Sequence, residues 1–213
     1  MSVPVTVVDY GMGNLFSVMR ALEYCGGDVT FTESPDRVRT ASRLVLPGVG
    51  AFADGMANLR ERNLIGALMD YISAGKSFLG ICLGMQLLLE GSEEFGHHRG
   101  LGVVSGEVKR LPSLRGVKLP NIGWHGLLPQ ESQDTSAWDG TILGGLKTDQ
   151  AQYFVHSYAA YPTEASHWLS RTYYGDHVFC STLQKGNVFA CQFHPEKSGR
   201  AGLSVLEAFL HCD

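Results

Sequence analysis

The sequence predicts an α/β fold: a mostly parallel central sheet flanked by helices, with antiparallel strands added to it. Three observations carry this. Over residues 1–90, apolar β-branched runs alternate with amphipathic segments, as parallel βαβ units do. Glycine-bearing turns such as Gly11-Met12-Gly13 and Gly48-Val49-Gly50 follow several of those runs. Beyond Gly102 the texture changes to short strand-like runs with turns between them, the pattern of antiparallel pairing.

Val3 to Asp9 is the first strand. It ends at Tyr10-Gly11-Met12-Gly13-Asn14, after which Leu15, Val18, Met19 and Leu22 recur at helical spacing up to Gly26-Gly27. Gly11-Xaa-Gly13 invites a dinucleotide reading. Phe16 stands where the fingerprint needs its third glycine, however, and no acidic residue closes a clear second strand, so no nicotinamide cofactor is expected. Val29 to Thr32 and Arg43 to Leu46 are the next strands, the latter running into Pro47-Gly48-Val49-Gly50-Ala51-Phe52. One long helix is expected from about Ala53 to Ala74, with Met56, Leu59, Leu64, Leu68, Tyr71 and Ile72 facing inward and Gly75 ending it. Phe78 to Ile81 is the fourth strand and Leu83 to Glu90 its helix. Right-handed crossovers put the successive turns on one sheet edge, where the switch-point rule places a ligand.

Residues 91–102 are polar and contain glycine. The later runs, Gly106 to Leu111, Val117 to Leu119, Gln152 to Ala160, Trp168 to Tyr174, Val178 to Leu183 and Val188 to Phe193, are expected as the added antiparallel strands. Pro129 to Thr148 is less regular and predicts a small helix or lid around Trp138 and Ile142 to Leu146. The last helix is Gly202 to His211, with Leu203, Leu206, Phe209 and Leu210 inward.

With 213 residues and 44% hydrophobic content, the chain can bury one sizeable core, and a single domain over residues 1–213 is expected. The net charge is −4 and the lysines and arginines are scattered, so neither nucleic acid nor a membrane surface is an expected partner. No basic start precedes a long apolar run, and none approaches the ~18 residues of a membrane span. A cytoplasmic protein is expected. Five cysteines, at 25, 82, 180, 191 and 212, are odd in number and lack Cys-Xaa-Xaa-Cys spacing, which implies neither a disulfide framework nor a zinc site. His97-His98 and Cys191…His194 lack further ligands at suitable spacing, so no metal is expected.

The chemistry is concentrated in Phe78-Leu79-Gly80-Ile81-Cys82-Leu83-Gly84-Met85-Gln86: apolar run, Gly-Xaa-Cys-Xaa-Gly turn, amphipathic start. Strand, sharp turn and helix form the geometry of a nucleophile elbow, with the helix N-terminus aimed at the side chain on the tip. Taken alone, the same pattern also describes a buried cysteine between two packing glycines. Gln192-Phe193-His194-Pro195-Glu196 decides between them. Pro195 excludes a helix and favours an extended His194, so His194 and Glu196 project to one side about 6–7 Å apart along the chain. Glu196 would fix the imidazole tautomer and His194 would take a proton from Cys82, a triad in the order Cys, His, Glu. A free thiol near pKa ~8.5 is mostly protonated at neutral pH, so Cys82 needs both the helix terminus and His194.

These two motifs together resemble the class I (triad) glutamine amidotransferases, which hydrolyse glutamine to glutamate and pass ammonia to a synthase. The resemblance extends over nearly the whole chain. Asp9 to Asn14, Leu46 to Phe52, Pro120-Asn121-Ile122-Gly123-Trp124 and Tyr153-Phe154-Val155-His156-Ser157-Tyr158 are similar to the branch serving histidine biosynthesis, whose members form a heterodimer with a (β/α)₈-barrel cyclase. The resemblance implies a thioester on Cys82, with His194 and Glu196 as its partners. It implies an oxyanion held by the backbone N–H of Leu83 and by one from Val49 or Gly50, and no cofactor. Gln86 and Glu94, then Ser157 and Tyr158, are implied to hold the glutamine, and Asn14, Asn121, Trp124 and Tyr153 to face the partner. Composition alone makes Trp124 and Tyr153 core aromatics.

Many relatives carry Pro-Gly-Gly where this chain has Pro47-Gly48-Val49. A β-branched residue resists positive φ, so Val49 should restrict the peptide rotation that presents an N–H to the oxyanion. Low free glutaminase activity, released by the cyclase and its nucleotide ligand, is the expectation. Three readings remain: this ammonia donor, a cysteine hydrolase or glutaminase serving another synthase, and a non-catalytic regulatory module of the same fold.

Overall fold

The computed structural model describes residues 2–130, 135–148 and 150–212. Its first part alternates as the periodicity demands: β1 (Val3–Val8), α1 (Leu15–Tyr24), β2 (Gly27–Thr32), α2 (Pro35–Thr40), β3 (Arg43–Gly48), α3 (Phe52–Glu61), α4 (Leu64–Ser73), β4 (Ser77–Cys82) and the single turn α5 (Leu83–Gln86). Then follow β5 (Leu89–Ser92), β6 (His98–Arg99), β7 (Val104–Arg110), β8 (Asn121–His125), β9 (Leu128–Pro129), β10 (Gln152–His156), β11 (Tyr158–Pro162), β12 (Trp168–Tyr174), β13 (His177–Lys185), β14 (Val188–Cys191) and α6 (Gly199–His211).

The main sheet has the order β2-β1-β3-β4-β14-β13-β12-β9. It is parallel from β2 to β14 and antiparallel from there to β9. Its alternating side chains feed two apolar layers. Leu44, Leu46 and Phe78 pack with Leu59, Leu64 and Leu68 of α3 and α4. Val45, Leu79 and Ile81 pack with Val18 and Leu22 of α1 and Val205, Leu206 and Phe209 of α6. Every residue of β4 is buried, as a central strand covered on both faces requires. Two smaller sheets, β11-β7-β5-β6 and β10-β8, stand beside it. No helix among the described residues is long and apolar enough to cross a membrane.

Several expectations are corrected. The long helix is two, because Asn63 adopts left-handed geometry (φ 57°), which asparagine tolerates better than most residues. The elbow helix stops after one turn. The carbonyls of Leu87, Leu88, Leu89 and Glu90 are taken by the N–H groups of Leu101, Val104, Gly102 and Gly100 on the returning chain, which converts residues 89–92 into β5. Val117 to Leu119 forms no strand; pairing starts at Asn121, opposite His156. The run from Gln152 to Ala160 is two strands in different sheets, parted at Ser157, whose carbonyl accepts from the Leu111 N–H. β14 is parallel to β4 and belongs to the parallel core. The last helix begins at Gly199. Residues 131–134 of the Pro129 to Thr148 segment lie outside the described residues. Within the described part, Thr135–Trp138 is a 3₁₀ turn, and Trp138, Ile142, Leu143 and Leu146 are buried in the core rather than forming a lid.

Candidate active site

Cys82 ends the buried strand β4 at φ 53°, ψ −105°, an unusual conformation for a residue with a side chain. Its neighbours hold it there. A Cβ on Gly84 would run into the Leu46 carbonyl oxygen, and one on Gly80 would stand 2.9 Å from the Gly84 carbonyl. The strand, the turn and α5 are therefore packed backbone to backbone, and the thiol is carried on the bend.

β14 runs beside β4 with Cys191 opposite Ile81, so the chain leaving β14 emerges next to Cys82. There the His194 N–H donates to the Tyr153 carbonyl (2.9 Å), and residues Pro195–Lys197 form a single 3₁₀ turn. This corrects the expectation that Pro195 excludes helix: proline suits the first position of a helical turn. His194 itself is extended (φ −103°, ψ 95°), and the turn folds Glu196 back against it. His194 Nδ1 and Glu196 Oε1 are 2.8 Å apart, with side chains 3% and 2% exposed. Ser198 clamps the turn, its hydroxyl donating to the His194 carbonyl (2.6 Å) and accepting from the Tyr153 N–H (2.9 Å).

Burial works against a charged His194, but the Cys82 sulfur and the Glu196 carboxylate outweigh it and raise the imidazole to about 10. Its Nε2 is buried, close enough to Cys82 to feel the sulfur, and makes no well-aligned hydrogen bond. A carboxylate, an imidazolium and a sulfur thus follow one another, which is the order of groups that activates a nucleophile and protonates a leaving amine.

A cavity of about 420 Å³ opens over this line, walled by Val49, Gly50, Cys82, Leu83, Gln86, Glu94, Pro120, Val155, His156, Ser157 and Tyr158. All the residues expected at the oxyanion and around the substrate are gathered there. The Gln86 amide nitrogen donates to the Tyr158 carbonyl (2.9 Å) and to Gln192 Oε1 (3.0 Å), which leaves Gln86 Oε1 for a ligand. Glu94 has one oxygen on the Phe52 N–H (2.7 Å), at the start of α3. A larger cleft of about 690 Å³ is lined by Pro129, His167, Lys185 and neighbours; it contains no cysteine and none of these residues.

Two members of the site were not anticipated. Gln192, fully buried, donates from Nε2 towards Cys82 Sγ (3.5 Å). His156 lines the cavity, donates from Nδ1 to the Tyr158 carbonyl (2.9 Å) and accepts from Asn121 Nδ2 (3.1 Å). Burial lowers its imidazole to about 4, so it is neutral. Its place in an alternating strand, with Phe154 and His156 inward, was the available signal.

The residues expected to face a partner divide. Trp124 is 55% exposed and meets Tyr153 edge-on (5.7 Å between centroids), with Ile122 exposed on the same side of β8. Asn14 caps α1, accepting from the Ser17 N–H (3.2 Å). Asn121 is a correction: it is 3% exposed and held between His156 and His125, because its position in β8 points inward.

A family model described as glutamine amidotransferase class-I matches residues 6–212. The chain belongs to this family. Within it, the chain is 50% identical to the imidazole glycerol phosphate synthase subunit HisH of Aquifex aeolicus, over 95% of this chain and 94% of that one. It is 44% identical to the chloroplastic imidazole glycerol phosphate synthase hisHF of Arabidopsis thaliana, over 97% of this chain but only 34% of that longer one. Among solved structures, PurLQS from Thermotoga maritima superimposes with a TM-score of 0.74 at 19% identity, covering 99% of this chain and 98% of that one. That likeness bears on fold, and it agrees with the mixed sheet expected of a class I amidotransferase.

Proposed function

We propose that this amidotransferase is the glutaminase subunit of an imidazole glycerol phosphate synthase, supplying ammonia for histidine biosynthesis. The observation that carries the reading is the Glu196–His194–Cys82 line at a strand-to-helix elbow, with Cys82 in the wall of an open cavity. The Cys82 sulfur attacks the side-chain amide carbon of glutamine. The oxyanion is received by the Leu83 N–H and by one from Val49 or Gly50, each such donor being worth about 3–4 kcal/mol in the transition state. His194, already favouring the imidazolium at neutral pH, gives its proton to the leaving nitrogen, and ammonia departs. His194 then takes a proton from water, which attacks the thioester and releases glutamate and the free Cys82 sulfur, with the imidazolium restored. Glu196 orients His194 throughout. Gln86 Oε1, Glu94, Ser157 and Tyr158 hold the amino-acid end.

The ammonia is consumed by a cyclase of (β/α)₈-barrel form, docked on the face bearing Trp124, Tyr153 and Asn14. The longer hisHF polypeptide, which holds a segment like this chain, supports a partner held close. Coupling runs through Pro47 to Gly50. Val49 lines the cavity, Gly50 sits at φ 110°, and the loop leading to Asn14 packs on both neighbours: Gly13 against Gly48, Met12 against Gly50. Docking beside Asn14 thus reaches the strand that must present its N–H.

Glutamine turnover by the wild type and by Cys82→Ala, with and without cyclase and its nucleotide substrate, tests this. Fast turnover is expected only in the full mixture. Cys82→Ala should lose it by roughly 10⁴-fold or more while the complex still works with added ammonia. High turnover by the isolated chain would sink the coupling and leave the triad standing; wild-type turnover in Cys82→Ala would sink the triad.

A further inference from the structure

Tyr10 is one of the buried polar groups that the mechanism leaves unused, and it stands nearest to the site. It follows β1, is fully buried, and its hydroxyl has no hydrogen-bond partner among the described residues. A buried hydroxyl without a partner is destabilising, so its place calls for a cause. The hydroxyl stands where a Gly48 Cβ would be, which makes glycine obligatory at 48. Gly48 is paired with Cys82 across β3 and β4, while β1 lies on the other side of β3. Tyr10 therefore reaches Gly48 from the chain that follows β1, on the face where the same Cβ would also stand 2.9 Å from Leu83 Cβ, next in chain to Cys82. Burial first, and then the Cys82 sulfur, push the phenol far above its ordinary range, so it is always a donor.

A trans peptide carries its N–H and C=O on opposite edges. If the Gly48–Val49 peptide turns its N–H towards the Cys82 side, the Gly48 carbonyl turns the other way, into protein, where it needs a donor. We propose that Tyr10 is a positioning residue of the glutaminase, its hydroxyl donating to the Gly48 carbonyl when the Val49 N–H faces the oxyanion. The unpaired hydroxyl is then a resting-state feature that the active strand satisfies. This rests on the glutaminase reading.

Tyr10→Phe in the complex with cyclase and nucleotide tests it. One hydrogen bond gained on activation predicts a kcat for glutamine lower by about 2- to 12-fold. The KM for glutamine and the ammonia-dependent rate should be unchanged, and the thermal midpoint of the isolated chain should not fall, since Phe keeps the packing and removes an unpaired hydroxyl. A wild-type kcat in Tyr10→Phe overturns the proposal, as does a loss confined to KM or accompanied by an equal loss of the ammonia-dependent rate. Absence of wild-type glutamine turnover overturns this reading and the glutaminase reading together.

Discussion

His194 is the residue on which the most physics converges. Burial disfavours its charge, the Cys82 sulfur and the Glu196 carboxylate favour it, and the balance lifts it to about 10, above its usual 6.5. A raised imidazole contributes stability that is fully present below about pH 6.5 and is lost as pH rises through about 10. Glu196→Gln removes one of the two neighbours. The thermal midpoint of the variant should trail the wild type at pH 6 and approach it at pH 10; a gap independent of pH would show that the ion pair is not the cause. The same substitution should cut kcat for glutamine by roughly 10²-fold or more through the lost tautomer control. At this scale the sequence was a good guide where the chemistry is local: His194 and Glu196 are two apart, and Cys82 sits between its own glycines. Gln192 and His156 escaped notice because what they do depends on groups brought from other strands, Cys82 and Asn121.

Among the elements, the elbow is held by contacts between backbones. Gly84 touches the Leu46 carbonyl so closely that alanine must push β3 or α5 aside. Gly84→Ala should therefore cost about 1–3 kcal/mol, read as a lower urea midpoint with unchanged slope, and should lower glutamine turnover through the displaced Cys82. A variant as stable as the wild type would mean that β3 and α5 can part without strain. The strands β1, β3 and β4 and the helix α1 were legible because apolar spacing marks them directly. The break at Asn63 and the shortness of α5 were not. No glycine or proline announces the former, and the latter is imposed by hydrogen bonds from residues 100–104, which periodicity over a short window cannot foresee.

For the whole molecule, the exposed side of β8 is where a partner's presence should be felt. Trp124→Ala removes a large apolar side chain that is more than half exposed, so the stability of the isolated chain should change by less than about 0.5 kcal/mol. Association with the cyclase, followed by calorimetric titration, should weaken by roughly 30-fold or more if Trp124 anchors the contact. Unchanged affinity would move the contact elsewhere. The alternation of strand and helix made the parallel half readable. The direction of β14 was hidden, because a short buried apolar run looks the same whichever way its neighbours point.

That direction has a consequence for how the protein is made. β4 and its thiol leave the ribosome before β14, the strand that brings His194 and Glu196 alongside and that follows it only after nine further strands. Until residue 196 has emerged, Cys82 has no base beside it and β4 has no neighbour on that side. On the glutaminase reading, each new chain is therefore catalytically silent until β14 has been made, and spends no glutamine before then.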